Sequence, residues 1–295
     1  MVVDQVIAFN AVECLGLVGA LVILITSVLP PARSTPRLSM WYMVLASSGF
    51  YNLAMLLLAI ARAQSGPQPN FTLCLAQSAL IYSAPIWLMG SVCTFAFQLH
   101  LAVLYYAKHY TGWISHESPW LPAWIVALFF AVTVMLLIIA GANPEIVRLN
   151  EEHFYCHFTN HIGTITVTVF GVLFAVVAVT CEVKSGMILY RSRKSSSDLH
   201  RASNGRVSFG VFLRLAGFSL NSILSVTLCA LFVLSNENNS FGYFNIFVAL
   251  VGSADVPLLG LNNSIIRTWM FWRKRTETVE TVEAGHGEKA GASTV

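Results

Sequence analysis

Charge is what this chain has least of. Lys, Arg, Asp and Glu make up 11% of its 295 residues and apolar side chains 56%, whereas an ordinary soluble domain carries roughly 25% charged residues. So little polar surface cannot coat a water-facing globule, and that class is excluded first. Catalytic equipment is scarce too. An intramembrane hydrolase needs histidines and carboxylates gathered near one face to bind metal and activate water, and His100 with Asp255 do not supply that set. No enzyme activity, cofactor or metal is therefore expected. Residues 1–6 hold no cationic region, and no short apolar core with a small-residue cleavage site follows. The expectation is that no signal peptide is removed and that the first apolar segment itself directs insertion.

What is abundant is long apolar sequence. A hydrocarbon core about 30 Å thick needs roughly 20 apolar residues of helix, with every backbone group paired inside its own segment. Seven windows meet that length: Ile7 to Leu29, Leu38 to Ala61, Phe71 to Tyr106, Leu121 to Gly141, Ile162 to Tyr190, Val207 to Leu234 and Tyr243 to Arg267. The expected fold is an all-α membrane protein, a seven-transmembrane helix bundle. Its domains are a short amino terminus (1–6), the helical domain (7–268), an interfacial helix (269–275) and a disordered tail (276–295). Trp269, Phe271 and Trp272 ahead of Arg273, Lys274 and Arg275 suit a helix lying in the interface, and the Glu, Gly, Thr and Ala of the tail suit disorder.

Cations set the orientation. With the amino terminus outside, only Arg62 and Arg148 face out, while Arg33, Arg37, Lys108, Lys184 and the cations of 191–214 and of the carboxyl-terminal tail fall in the cytosol, as the positive-inside rule requires. The net charge of +3 then reports topology and contact with anionic membrane lipid rather than nucleic acid. The expected localisation is that of a multi-pass integral membrane protein of the plasma membrane.

Two of the six cysteines stand apart. Cys74 opens the third segment and Cys156 sits in the longest outer loop, 143–161; both face an oxidising compartment, so a bridge between them is permitted and would pin the loop over the bundle mouth. Cys14, Cys93, Cys181 and Cys229 lie inside apolar spans as small hydrophobes. In the same loop His153, His157 and His161 recur every four residues, a spacing that suits zinc only if the segment is helical; the loop setting argues against it and no metal is assigned. Asn70-Phe-Thr72 and Asn238-Asn-Ser240 are glycosylation patterns on the outer side, whereas Asn262-Asn-Ser264 lies within the last span and is discounted.

Seven helices, an outside amino terminus, a cysteine opening the third helix and another in the second outer loop resemble a G protein-coupled receptor. The stretch Pro257-Leu-Leu-Gly-Leu-Asn-Asn-Ser is distantly similar to the Gly-x-x-Asn-Ser pattern of cyclic-AMP-receptor-like and fungal nutrient-sensing receptors. The resemblance implies an extracellular ligand, a heterotrimeric G protein partner and a population shift between bundle conformations. The chain departs from the rhodopsin-like pattern in three places. Gln98-Leu99-His100 stands where Asp-Arg-Tyr is found, the sixth segment has no proline, and the seventh reads Asp255-Val-Pro257-Leu-Leu in place of Asn-Pro-x-x-Tyr. Ile81, near the place of the amine-receptor aspartate, argues against an amine ligand.

On that resemblance, Gln77, Ser78, Tyr82, Thr166 and Phe244 are the expected ligand-pocket residues, chosen by depth and polarity, with Pro85 kinking the helix below them. Asp255 is the outstanding polar residue, read as the only acid well inside a predicted span, where ionisable groups are costly and usually functional. With His100, Asn52, Asn221, Pro257, Asn262 and Asn263 it makes the expected switch set. The loop bearing Arg191, Arg193, Lys194, Arg201 and Arg206 is the expected G protein surface, and Ser195, Ser196 and Ser197 beside it are expected phosphorylation sites. A retinal pigment falls because the last span has no lysine. A seven-helix transporter or channel for a small solute is the alternative, with Pro85 and Pro257 as possible helix breaks, although no internal repeat supports it.

Overall fold

The computed structural model describes residues 2–29, 37–64, 69–106, 115–150, 153–195, 242–260 and 263–269, together with single helical positions at 217, 220, 221, 223, 224 and 227. Helix dominates these residues. In chain order they form α1 (Val2–Val28), α2 (Ser39–Met55), α3 (Leu57–Ile60), α4 (Phe71–Tyr106), α5 (Trp120–Ala142), a 3-10 turn (Pro144–Ile146), strands β1 (Val147–Leu149) and β2 (Cys156–Phe158), α6 (Ile162–Ser195), α7 (Gly242–Gly260) and α8 (Asn263–Trp269).

Among the described residues four helices, α1, α4, α5 and α6, are long and apolar enough to cross a membrane. α2 falls one residue short of an 18-residue span because its regular geometry is interrupted at Leu56. The backbone ladder nevertheless carries through: Leu56 N–H donates to the Asn52 carbonyl and Ile60 N–H to the Leu56 carbonyl, so α2 and α3 form one helix with a local distortion. The sixth predicted segment lies mostly outside the described residues. Long apolar helices of this kind fit a membrane-embedded protein.

α4 is the axis. Within its apolar window 78% of residues are buried inside the protein, against 28% for α5 and for α6. It packs against α2, α5 and α6, while α1 packs against α2 and α7. The outer helices turn Leu15, Ile25, Ile138 and Val176 away from the protein, which is the placement that a hydrocarbon solvent permits. At 36 and 34 residues, α4 and α6 measure roughly 54 and 51 Å at about 1.5 Å per residue, well beyond the bilayer core. α4 runs through Pro85 without interruption.

Several boundaries differ from expectation. α1 begins at Val2, inside the segment expected to be a short amino-terminal arm. α6 continues to Ser195, so Arg191, Arg193, Lys194 and Ser195 occupy its last turns rather than a loop. The loop between α5 and α6, expected on the outer side, forms an antiparallel hairpin with Val147 opposite Phe158 and Leu149 opposite Cys156. A second hydrophobic cluster, including Val132, Leu136, Val147, Phe158 and Val167, lies where this hairpin meets α4, α5 and α6.

Candidate functional site

Among the described residues the hairpin lies over one end of α4 and packs on α1 and α7. Cys74, in the first turn of α4, is bridged to Cys156 at the start of β2 across 82 residues of chain, with Cα atoms 5.2 Å apart. Gln77, three residues further along α4 and hence on the same face, is fully buried. Its Oε1 accepts the Cys156 N–H at 3.0 Å, and its Nε2 donates to the carbonyls of Ala54 (3.3 Å) and Met55 (3.4 Å) beside the distortion at Leu56. One side chain thus joins α4, α2 and the hairpin.

The hairpin turn is driven into the bundle by its aromatics. Phe154 is fully buried, its ring 5.0 Å from that of Phe9 on α1. The Tyr155 hydroxyl donates to Asn245 Oδ1 on α7 at 2.7 Å. Gln64 Nε2 donates to the Phe154 carbonyl and to Asn10 Oδ1, and Asn10 Nδ2 donates back to Gln64 Oε1 at 2.7 Å. Phe158 stacks on Tyr82, centroids 5.1 Å apart and planes 14° from parallel. Next to that stack, a Cβ on Gly163 would lie 2.6 Å from Tyr82, so the position takes glycine.

Four of the five expected pocket residues are thus engaged. Gln77 and Tyr82 hold the hairpin, and the buried Ser78 hydroxyl donates to the Leu75 carbonyl at 2.9 Å. Thr166 donates to the Ile162 carbonyl. Phe244 lies in α7, its side chain outside the described residues. The three histidines share no helical face: His153 adopts a left-handed backbone (φ 61°), His157 is in β2 and His161 in the turn before α6. Among the described residues no group of three His, Cys, Asp or Glu side chains is placed to hold a metal. Asn70 precedes α4 and its Oδ1 accepts the Thr72 N–H at 3.1 Å, the contact of a helix N-cap.

Below the hairpin runs a polar seam. The sequence leads one to expect Asn52, Asp255 and Asn221 in a shared network; the structure, with Asn52 and Asp255 both buried, divides them into two pairs. Asn221 Nδ2 donates to Asp255 Oδ1 at 2.9 Å, while Ser253 Oγ donates to Asn52 Oδ1 at 3.0 Å. Asn52 Nδ2 turns to the Ser48 carbonyl at 2.7 Å. Gly16 makes room for the second pair, since a Cβ there would stand 2.5 Å from both Asn52 Oδ1 and Ser253 Oγ. Pro257 is exposed on α7, Asn263 opens α8, and Asn262 lies outside the described residues.

Asp255 is not the only acid inside a span, because Glu13 and Glu182 are buried as well. Glu13 of α1 is fully buried, and neither carboxyl oxygen has a hydrogen-bond partner among the described residues. Its signal was present in the sequence, an acid six residues into an apolar span. Glu182 on α6 is also buried, and it is engaged. Ser253 had no comparable signal, because a serine becomes informative only when its partner is known.

At the far end of α4, Gln98 acts as a clamp. Its Oε1 accepts the Met40 N–H (3.2 Å), and its Nε2 donates to Ser39 Oγ (3.2 Å) and to the His116 carbonyl (2.6 Å). It therefore caps α2 from a neighbouring helix and ties down the residues ahead of α5. His100 Nδ1 meets Ser185 Oγ on α6 at 2.8 Å. The Ser185 hydroxyl spends its proton on the Cys181 carbonyl at 2.7 Å, so the imidazole is the donor and carries its proton on Nδ1. Trp269 Nε1 donates to Thr26 Oγ1 at 3.0 Å, tying α8 to α1. Arg191 is exposed near the end of α6; Arg201, Arg206, Ser196, Ser197 and Asn238 lie outside the described residues, as do residues 270–295.

Compared with known proteins, the chain matches no family model and no curated protein sequence. Its class rests on the fold and site alone: a helical protein of membrane type, one end closed by a disulfide-pinned hairpin and the interior crossed by polar pairs.

Proposed function

We propose that this chain is a seven-helix receptor of the plasma membrane that passes the binding of an extracellular ligand to a heterotrimeric G protein in the cytosol. The observation that carries the reading is the Cys74–Cys156 bridge, which fastens the hairpin onto the end of α4, the helix whose opposite end holds α2 and the segment before α5 through Gln98. One rigid element thus runs from a ligand-accessible cap to the face where a transducer docks. A disulfide forms in an oxidising compartment, so the hairpin end belongs outside. α6 extends to Ser195 and bears Arg191 near its end, and the cation bias of the sequence favours the cytosol for that end. The polar pairs Asp255–Asn221 and Asn52–Ser253 supply interhelical bonds that two bundle conformations can exchange.

The test is nucleotide exchange by a panel of G protein alpha subunits in membranes holding the wild type or a variant with Arg191, Arg193, Lys194, Arg201 and Arg206 neutralised, at matched surface expression. Exchange that depends on those cations supports the receptor. Silence across the panel, with and without candidate ligands, overturns it in favour of a transporter or channel for a small solute.

A further inference from the structure

We propose that Glu13 is the recognition carboxylate of a binding site, beneath the hairpin, for an organic cation that donates hydrogen bonds: a primary or secondary ammonium. The proposal rests on the receptor reading only in that the cation arrives from the hairpin end.

Three observations converge. Glu13 is fully buried while both its oxygens lack a hydrogen-bond partner among the described residues. An isolated carboxylate taken out of water is costly, so a buried acid either keeps its proton or pairs with a positive group, and an unpartnered acid at membrane depth is a functional position by default. The described side chains offer no such group. Arg62, Arg148, Lys184 and Arg191 are exposed, and Arg37, at the other end of α1, donates to the Ser27 carbonyl and covers the Trp41 ring at 4.8 Å.

Position supplies the second observation. One turn toward the hairpin from Glu13, Phe9 seats Phe154, and Asn10 holds the Gln64 side chain that bonds the Phe154 carbonyl. An occupant at Glu13 therefore lies against the seat of the plug. The third observation lies one turn in the other direction, where Gly16 leaves the space filled by the Asn52–Ser253 pair between α2 and α7. A cation bonded to Glu13 thus sits one helical turn along α1 from Phe9 and Asn10, which seat the cap, and one turn from Gly16, which accommodates the polar seam.

The identity of the cation follows from the acceptors. Two carboxyl oxygens without donors call for at least two N–H groups, which an ammonium supplies and a quaternary ammonium does not. The acid stands on α1, so Ile81 on α4 does not argue against this ligand class.

The full-length protein in lipid nanodiscs is titrated with n-hexylammonium, with hexanol, hexyltrimethylammonium and sodium chloride as matched arms, and thermal unfolding is followed. Saturable stabilisation by hexylammonium is expected, with the neutral and quaternary analogues and Glu13→Gln each weakened about tenfold or more, the loss expected for one charged hydrogen bond. A second readout uses wild type alone. Dicyclohexylcarbodiimide modification of Glu13, read by peptide mass spectrometry, falls when hexylammonium is present. Equal responses to hexanol, an unchanged response in Glu13→Gln, a response to sodium in place of the amine, or labelling at Glu13 unaffected by the amine overturns the proposal. Amine binding without nucleotide exchange upholds the site and counts against G protein coupling; exchange without Glu13-dependent binding does the reverse.

Discussion

The amide N–H of Cys156 lies 3.0 Å from Gln77 Oε1, three residues along α4 from the cysteine to which Cys156 is bridged. The covalent tie and the hydrogen bond therefore act on the same point of the hairpin from the same helix face. The bridge limits how far β2 can move, and the amide bond sets its height on the helix.

Gln77→Leu keeps the side-chain volume near its present value and removes the bonds to Cys156, Ala54 and Met55. A buried backbone group left unpaired costs about 1–3 kcal/mol, and the Cys156 N–H is such a group. A destabilisation of about 2–4 kcal/mol is expected. It is measured by thermal unfolding in nanodiscs, with Gln77→Glu, which keeps an acceptor for Cys156, as the milder comparison.

Cys74→Ser with Cys156→Ser frees a loop of 82 residues and is expected to cost about 2–5 kcal/mol. Hydrogen exchange locates the damage. Faster exchange across Val147–Leu149 and Cys156–Phe158, with the rest of α4 unchanged, is the expected pattern; uniform acceleration of all helices would show instead that the bridge supports the bundle as a whole.

Gly16→Val places atoms where the Asn52–Ser253 pair now sits. Overpacking of this kind costs about 1–3 kcal/mol, and breaking the pair strands polar groups between α1, α2 and α7. Suppression by Ser253→Ala, which removes one of the crowded atoms, is the check: a double variant no more stable than Gly16→Val alone would sink the explanation.

Asp255→Asn retains an oxygen that accepts from Asn221 Nδ2, whereas Asp255→Leu does not. Surface expression of the first is expected to match wild type while nucleotide exchange changes; the second is expected to lose about 1–3 kcal/mol as Asn221 loses its acceptor. Loss of expression in both variants would assign the residue to packing.

Gln98→Leu removes the clamp on Met40, Ser39 and His116. Faster amide exchange at Met40 and Trp41, the first turn of α2, is expected, together with a loss of about 1–2 kcal/mol. Exchange confined to residues 115–118 would mean that α2 has another cap.

Much of the scaffold is legible in the residues. The windows Phe71 to Tyr106 and Leu121 to Gly141 coincide with α4 and α5 to within a residue at each end, because apolar length and the demand for internal backbone pairing leave helix as the sole option. The ends are less legible. α6 runs five residues past Tyr190 into a basic stretch, since nothing in Arg-Ser-Arg-Lys-Ser opposes helix once the turn before it is formed.

The site was legible only in its parts. By itself the sequence determined that the chain is apolar, helical and long enough for repeated membrane passage, that Cys74 and Cys156 can meet, and that Asp255 is anomalous at its depth; each follows from composition or from spacing along one segment. Tertiary structure alone decided that Gln77 holds a hairpin, that Asn52 pairs with Ser253 and Asn221 with Asp255, and that Glu13 has no donor among the described residues. Those outcomes depend on which residues of distant segments share a level and a face, and hydrogen bonds, being short and directional, respond to that alignment rather than to order along the chain.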